Sequence, residues 1–405
     1  MTTPLPEDLL ARMSWADKLA QLQILWRRDE AEALTLARGG IGALFWPQSA
    51  EATNALQRAA VEESPHGIPL LIGLDVVHGQ FTIFPTPLAQ AASFDVAVAE
   101  ADARVSATES RSGGVNWTFS PMVDVTRDPR WGRVVEGFGE DAFLASAFGA
   151  AKVRAYQGVD LAASDALASC LKHFVAYGAA EAGRDYNSTD VSWRRLRETY
   201  LEPFRAGVAA GAASVMAAFN SLNGTPMHAN RRLLTDVLTD EYGFDGIVVG
   251  DADGVAQLIV HGVAADEGEA VRLSLSAGLD VVMGGAQLVQ EGATLLEPSA
   301  VDAARMDAAV LRILRLKAAL GLFENPYTDA AGERSAPTPD TLHLAQDAAE
   351  RCVVLLKNDG PLLPVRATAQ RILLTGPYAQ SNDHLGAWVQ HFGAPAGTLD
   401  DALRA

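Results

Sequence analysis

Residues 243–251 read Gly243-Phe244-Asp245-Gly246-Ile247-Val248-Val249-Gly250-Asp251. Three β-branched residues in a row are too few for a helix and suit a strand buried on both faces. A glycine and then a carboxylate stand where that strand stops. Six further apolar runs share the form, at 41–45, 68–74, 117–125, 170–175, 214–219 and 279–283. Longer amphipathic stretches separate them, among them 95–113, 193–211 and 267–277. Strand-then-helix alternation predicts an α/β fold with a parallel sheet and helical crossovers. Seven runs come close to the eight strands of a TIM-type (β/α)8-like barrel, although a doubly wound sheet gives the same pattern.

What ends the runs separates the two folds. Run 68–74 ends in Asp75 and then His78-Gly79. Run 117–125 leads into Asp128-Pro129-Arg130-Trp131-Gly132-Arg133. Cys170-Leu171 leads into Lys172-His173, and 247–249 into Gly250-Asp251. Any one of these polar residues serves as a helix cap or turn former as readily as a functional group. Four strands ending this way point to a shared rim, because caps do not call for Lys, His and Arg. In a parallel barrel that rim is the C-terminal face, where active sites sit.

The pattern breaks near Leu322. Residues 323–341 hold Pro326, Pro337 and Pro339 among Gly, Ser and Asp, the composition of a linker. A helix-like stretch at 342–356 and a β-like run, Ile372-Leu373-Leu374-Thr375, follow it. The expected organisation is a barrel over 1–322, a linker over 323–341 and an incomplete α/β/α sandwich domain over 342–405.

The chain carries 50 acidic against 32 basic residues, a formal charge of −18. That surface disfavours nucleic acid and anionic membrane and suits a neutral substrate such as a sugar. Cys170 and Cys352 form no CxxC pair, and no His or Cys cluster supports a metal site. No apolar run reaches the roughly 18–20 residues needed to span a bilayer. The first eight residues lack the basic and apolar regions of a secretory signal, so a cytoplasmic placement is expected unless a leader has been removed.

Six segments now stand in register: 73–80, 124–133, 136–141, 171–174, 216–226 and 243–251. In order and in spacing they resemble glycoside hydrolase family 3, above all its bacterial β-glucosidase branch, and the similarity runs from Met13 to about Trp388. The resemblance implies a retaining β-glycosidase that acts on terminal non-reducing β-linked sugars through a covalent glycosyl intermediate on Asp251. It implies that Asp75, Arg133, Lys172 and His173 hold the sugar, with no metal and no cofactor. The residue types fit that chemistry: one carboxylate attacks the anomeric carbon, while a carboxylate and cations together accept from and donate to vicinal hydroxyls. Cations beside Asp251 are expected to lower its pKa and keep it ionised. Trp131 reads as packing and His78 as a brace for its loop.

Two positions depart from the family pattern. Ala252 stands where an aromatic or histidine side chain is usual, and Phe219 where many members have tyrosine. The loop 176–190 lacks the Asp-Ser-His pattern of the family's N-acetylglucosaminidases. In the β-glucosidase branch the general acid/base is a glutamate of the second domain, well after its first strand. The acid/base is therefore expected to be absent from this chain, with a partner chain as one source of the rest of that domain. Besides an active β-glucosidase-like enzyme, two readings stay open: an impaired sugar-binding remnant or split-protein half, and a β-N-acetylglucosaminidase or β-xylosidase of the same family.

Overall fold

The structure, a computed structural model, describes residues 5–26, 29–45, 49–285, 288–360, 363–365, 371–389 and 397–404. Its frame is a ring of eight short parallel strands. They are β1 (Gln23–Trp26), β2 (Ala43–Phe45), β3 (Leu71–Leu74), β4 (Trp117–Thr118), β5 (Cys170–Phe174), β6 (Ser214–Ala217), β7 (Ile247–Val249) and β8 (Val282–Met283). One arc runs β8-β1-β2-β3-β4 and the other β5-β6-β7. Parallel bridges Trp117↔Ala168, Met122↔Lys172 and Val249↔Val281 join the arcs and close the barrel. The barrel, not the doubly wound sheet, is the fold.

β1 was not among the seven apolar runs. It opens on the polar Gln23 and begins two residues after the helix Trp15–Gln21, so no glycine, proline or loop marks the break. Run 117–125 contributes only two strand residues, because Pro121 has no N–H to give to a ladder. Contact with β5 continues instead through the carbonyls of Ser120 and Pro121, which accept from Cys170 N (2.9 Å) and Lys172 N (3.1 Å).

The helices of the outer layer begin on side-chain caps. Asp29, Ser49, Asp95, Asp141, Ser192, Asp266 and Asp302 each accept a first-turn N–H. Their apolar faces close over the ring, and Ile24, Ile72, Trp117, Leu171, Val215 and Val248 are fully buried in one continuous core. No helix among the described residues is long and apolar enough to cross a membrane.

The stretch read as a linker runs along the barrel and is bonded to it. The Asn54 amide exchanges two hydrogen bonds with the Thr328 backbone (2.7 and 2.8 Å), and Arg334 N donates to Ser112 Oγ (3.0 Å). The helix Pro339–Cys352 then packs Ala348 against Phe84, Val98 and Val105, and Arg351 pairs with Asp95 (2.9 Å). The β-like run at 372–375 is not a strand: Leu373 is 89% exposed, and among the described residues no strand follows β8. An extended segment needs a neighbour to satisfy its backbone groups, and among the described residues it has none to pair with. Residues 361–362, 366–370, 390–396 and 405 of the expected second domain lie outside the described residues.

Candidate active site

The strand tips converge as a barrel requires. Asp75 follows β3, Arg133 lies in the turn Gly132–Glu136 after β4, Lys172 and His173 belong to β5, and Asp251 stands two residues past β7. Around them opens a cavity of about 650 Å³. From β3 to β7 its wall carries Asp75, Arg133, Glu136, Lys172, Asp185 and Asp251, with Phe119, Met216 and Phe219 between them. Strands β8, β1 and β2 contribute only apolar side chains among the described residues: Met283, Ile24, Leu25, Trp26 and Phe45. Trp26 tilts against Phe45 with ring centroids 5.3 Å apart, and Phe45 stacks on Phe119 at 5.6 Å.

On the polar wall, Lys172 Nζ donates to Asp75 Oδ1 at 2.6 Å. Arg133 makes a two-point bond to Glu136, Nε to Oε1 at 2.8 Å and Nη2 to Oε2 at 3.0 Å, and the same Nη2 lies 3.0 Å from His173 Nε2. A guanidinium has donors only, so Nε2 accepts and the imidazole proton sits on Nδ1. From there it donates to Asp124 Oδ2 at 2.8 Å, which also takes the His173 backbone N–H at 2.9 Å. Burial, and then Arg133 and Lys172, hold the His173 pKa well below the ordinary histidine range. The imidazole is neutral, with its only proton turned away from Asp251.

That arrangement decides the state of Asp251. Its Oδ1 accepts the Ala252 N–H at 2.7 Å. Its Oδ2 lies 3.5 Å from His173 Nε2, which has no proton to offer, and is buried with no hydrogen-bond partner. A buried carboxylate oxygen without a donor is a costly arrangement and a reactive one. Burial pushes the Asp251 pKa up to about 6, against the pull of Arg133 and Lys172. The expectation that the cations would lower it is corrected: they limit the rise, and desolvation is larger.

The tips are held from behind. Past Asp75, the Val76 carbonyl accepts from Tyr156 OH (2.8 Å) and the Val77 carbonyl from Lys152 Nζ (2.7 Å), while Lys152 is paired with the buried Asp102 (2.7 Å). At the other tip, Asp251 N donates to His228 Nε2 (3.1 Å). Burial first of all pulls the His228 pKa down to about 3, so this ring too is neutral and can accept. The ring needs Gly254 beside it, since a Cβ there would stand 2.3 Å from His228 Cε1.

Of the residues expected from sequence, Asp75, Arg133, Lys172 and Asp251 line the cavity. His173 is 1% exposed and stands behind them, against Arg133 and Asp251. Trp131 is buried and donates to Asp185 Oδ1 (2.8 Å), while His78 lies between the carbonyls of Phe84 (2.8 Å) and Ala387 (2.6 Å). Sequence reading missed Asp124, His228 and Trp388. Trp388 lines the cavity from the far end of the chain, with its indole 5.0 Å from Lys172 Nζ. Asp124 was within reach, as a carboxylate inside an apolar run; His228 and Trp388 carried no local signal. Among the described residues no group of His, Cys, Asp or Glu could hold a metal ion.

Comparison with known proteins agrees with this geometry. Residues 14–316 match the glycosyl hydrolase family 3 N terminal domain. The periplasmic beta-glucosidase of Salmonella typhimurium is 40% identical over 392 residues, which cover 94% of this chain and 51% of that protein. A putative beta-xylosidase of Formosa agariphila is 32% identical over 410 residues, covering 93% and 54%. The crystal structure of a beta-glucosidase from Listeria innocua in complex with glucose superposes with a TM-score of 0.89 at 39% identity, covering 96% of this chain and 56% of that one. The chain thus spans about half the length of the curated relatives it matches.

Proposed function

This chain belongs to glycosyl hydrolase family 3, and we propose that it is the nucleophile-bearing part of a retaining β-glycosidase of the β-glucosidase type. Asp251 attacks the anomeric carbon of a terminal β-linked sugar and forms a covalent glycosyl ester, which water then hydrolyses. The observation that carries this reading is the unpartnered Oδ2 of Asp251, in a cavity whose same wall holds the Lys172–Asp75 pair and Arg133. Asp75 and Lys172 grip neighbouring sugar hydroxyls with charge-assisted bonds. Arg133, fixed by Glu136, lends positive charge, and His173 holds Arg133 in place while remaining neutral.

Proton donation to the leaving group is assigned to none of the other cavity carboxylates. Asp75 is paired with Lys172, Glu136 with Arg133, Asp185 accepts from Trp131, and Asp253 accepts the Gly285 N–H (2.8 Å). We place the acid/base in a segment outside this cluster.

Intact-mass analysis after incubation with an activated 2-fluoroglucoside tests the assignment. A stoichiometric glycosyl adduct on Asp251 is expected; no adduct, or one on another residue, overturns it. The Formosa relative's name supports one second reading, a β-xylosidase, and the ratio of kcat/KM for aryl β-xyloside and β-glucoside decides between them. The Salmonella relative's name also supports a periplasmic placement over the cytoplasmic one expected from the first residues, which cell fractionation can decide.

A further inference from the structure

Among the described residues, the buried and half-buried cations generally have partners. Lys152 has Asp102, Lys172 has Asp75, Arg133 has Glu136, and Arg305 and Arg312 share Asp280. Lys317, which has no carboxylate, donates a hydrogen bond to Gln21 Oε1 (2.7 Å). Arg111 differs from all of these. It lies in the last turn of the helix Val96–Ser112, its Nε is buried without a hydrogen-bond partner, and among the described residues it makes no ion pair. Burial lowers its pKa, with Asp165 opposing.

The space it faces is a second cavity, of about 360 Å³, between the barrel and the segment that follows it. Thr108, Ser112 and Ser164 bring hydroxyls to its wall, and Arg334 brings a second guanidinium from the following segment. The bond from Arg334 N to Ser112 Oγ (3.0 Å) sets Arg334 beside the turn that carries Arg111. The Arg334 guanidinium also makes no ion pair among the described residues. Two carboxylates share the wall: Asp165 pairs with Arg104, while Asp329, whose Oδ1 accepts the Ala331 N–H (3.0 Å), makes no ion pair among the described residues. In a chain of formal charge −18, the cavity thus gathers two unpaired guanidinium groups. Residues 112–114 and 162–165 lead into β4 and β5, so the cavity lies at the opposite end of the strands from Asp251.

We propose that this cavity binds a phosphate-class oxyanion between Arg111 of the barrel and Arg334 of the following segment. A half-buried guanidinium whose buried Nε has no acceptor calls for an anion, and its planar fork fits two oxygens of a tetrahedral group while hydroxyls serve the others. Inorganic phosphate and the phosphate of a sugar ester share this chemistry.

The test is titration of the full chain with sodium phosphate at constant ionic strength, followed by calorimetry and thermal unfolding. A saturable rise in Tm above the sodium chloride control is expected. Arg111→Gln should weaken binding at least about tenfold, and Arg334→Gln by about the same or less. A parallel titration with glucose 6-phosphate identifies the source: clearly tighter binding points to an ester, equal or weaker binding to the free ion. No saturable effect in the wild type, or an unchanged affinity in Arg111→Gln, overturns the proposal. Should Arg111→Gln fail to fold, Arg334→Gln decides, because its partly exposed side chain can be removed without opening the core; unchanged affinity there has the same force.

Discussion

The two walls of the larger cavity are built from the same kind of strand end and differ in what those ends carry. The wall from β3 to β7 carries carboxylates and cations, with Lys172 bonded to Asp75 and Arg133 to Glu136 at 2.6–3.0 Å. Strands β8, β1 and β2 finish in the apolar Met283, Trp26 and Phe45, the last two meeting ring to ring. The polar wall has direction: each donor fixes an acceptor, so removing one group leaves a partner stranded. The apolar wall has area and little direction, so losing one side chain costs contact and leaves nothing unpaired. On our reading the first wall performs the reaction and the second shapes what enters.

The largest effect belongs to the nucleophile. Asp251→Ala should lower kcat on dinitrophenyl glucoside by at least about 10³-fold and abolish the 2-fluoroglucoside adduct. Retained turnover would move the reaction off the polar wall. Next comes leaving-group dependence. If no carboxyl group of this wall protonates the leaving oxygen, cellobiose should be cleaved roughly 10²–10⁴-fold more slowly than dinitrophenyl glucoside, after correction for intrinsic reactivity. Cellobiose turnover at the rate of the activated substrate would refute that division of labour.

Lys172→Met should reduce kcat/KM by about 10²-fold, since it leaves Asp75 buried without its cation. It should also raise the Asp251 pKa, because a positive neighbour that favours the carboxylate is gone. The acid limb of the pH–rate profile, near pH 6 in the wild type, should then move to higher pH; a stationary limb would separate Lys172 from the nucleophile.

The same carboxyl makes a stability prediction. Its folded pKa of about 6 lies above the unfolded value of about 4, so its contribution is complete below pH 4 and is lost as pH rises through 6. Asp251→Asn should therefore match the wild type at pH 4 and exceed it by about 3 kcal/mol above pH 7, as measured by urea unfolding across that range. A gap that is independent of pH would argue against a raised pKa.

The smallest effect should come from the other wall. Trp26→Ala, at a side chain 48% exposed, should raise KM for aryl glucosides about three- to tenfold and leave kcat and 2-fluoroglucoside labelling unchanged. A fall in kcat would erase the contrast between the walls.

The same contrast explains what could be read from the chain beforehand. Asp75, Lys172 and Asp251 were visible because charged residues in or just after several apolar runs need partners that an apolar core does not supply. Trp26 and Phe45 were invisible as site residues, because an aromatic residue ending a strand looks the same whether it faces a helix or a cavity. β1 went unseen because Gln23 opens it right behind a helix. The run at 372–375 misled in the opposite sense: it has the apolar content of β7, yet Val249 is paired on both sides and Leu373 is in water. Composition nominates a strand, and a neighbour makes one. The pKa of Asp251 was misjudged because charges can be read from sequence and depth of burial cannot.

Trp388 stands over Lys172, more than two hundred positions along the chain from it, and so the cavity proposed to take the sugar is not a property of the barrel alone. A chimera that carried residues 1–322 into another host would import the attacking group and its charged neighbours and leave the indole behind. Such a graft should keep the chemistry and loosen the recognition, which makes substrate preference a trait inherited jointly by two parts of the gene.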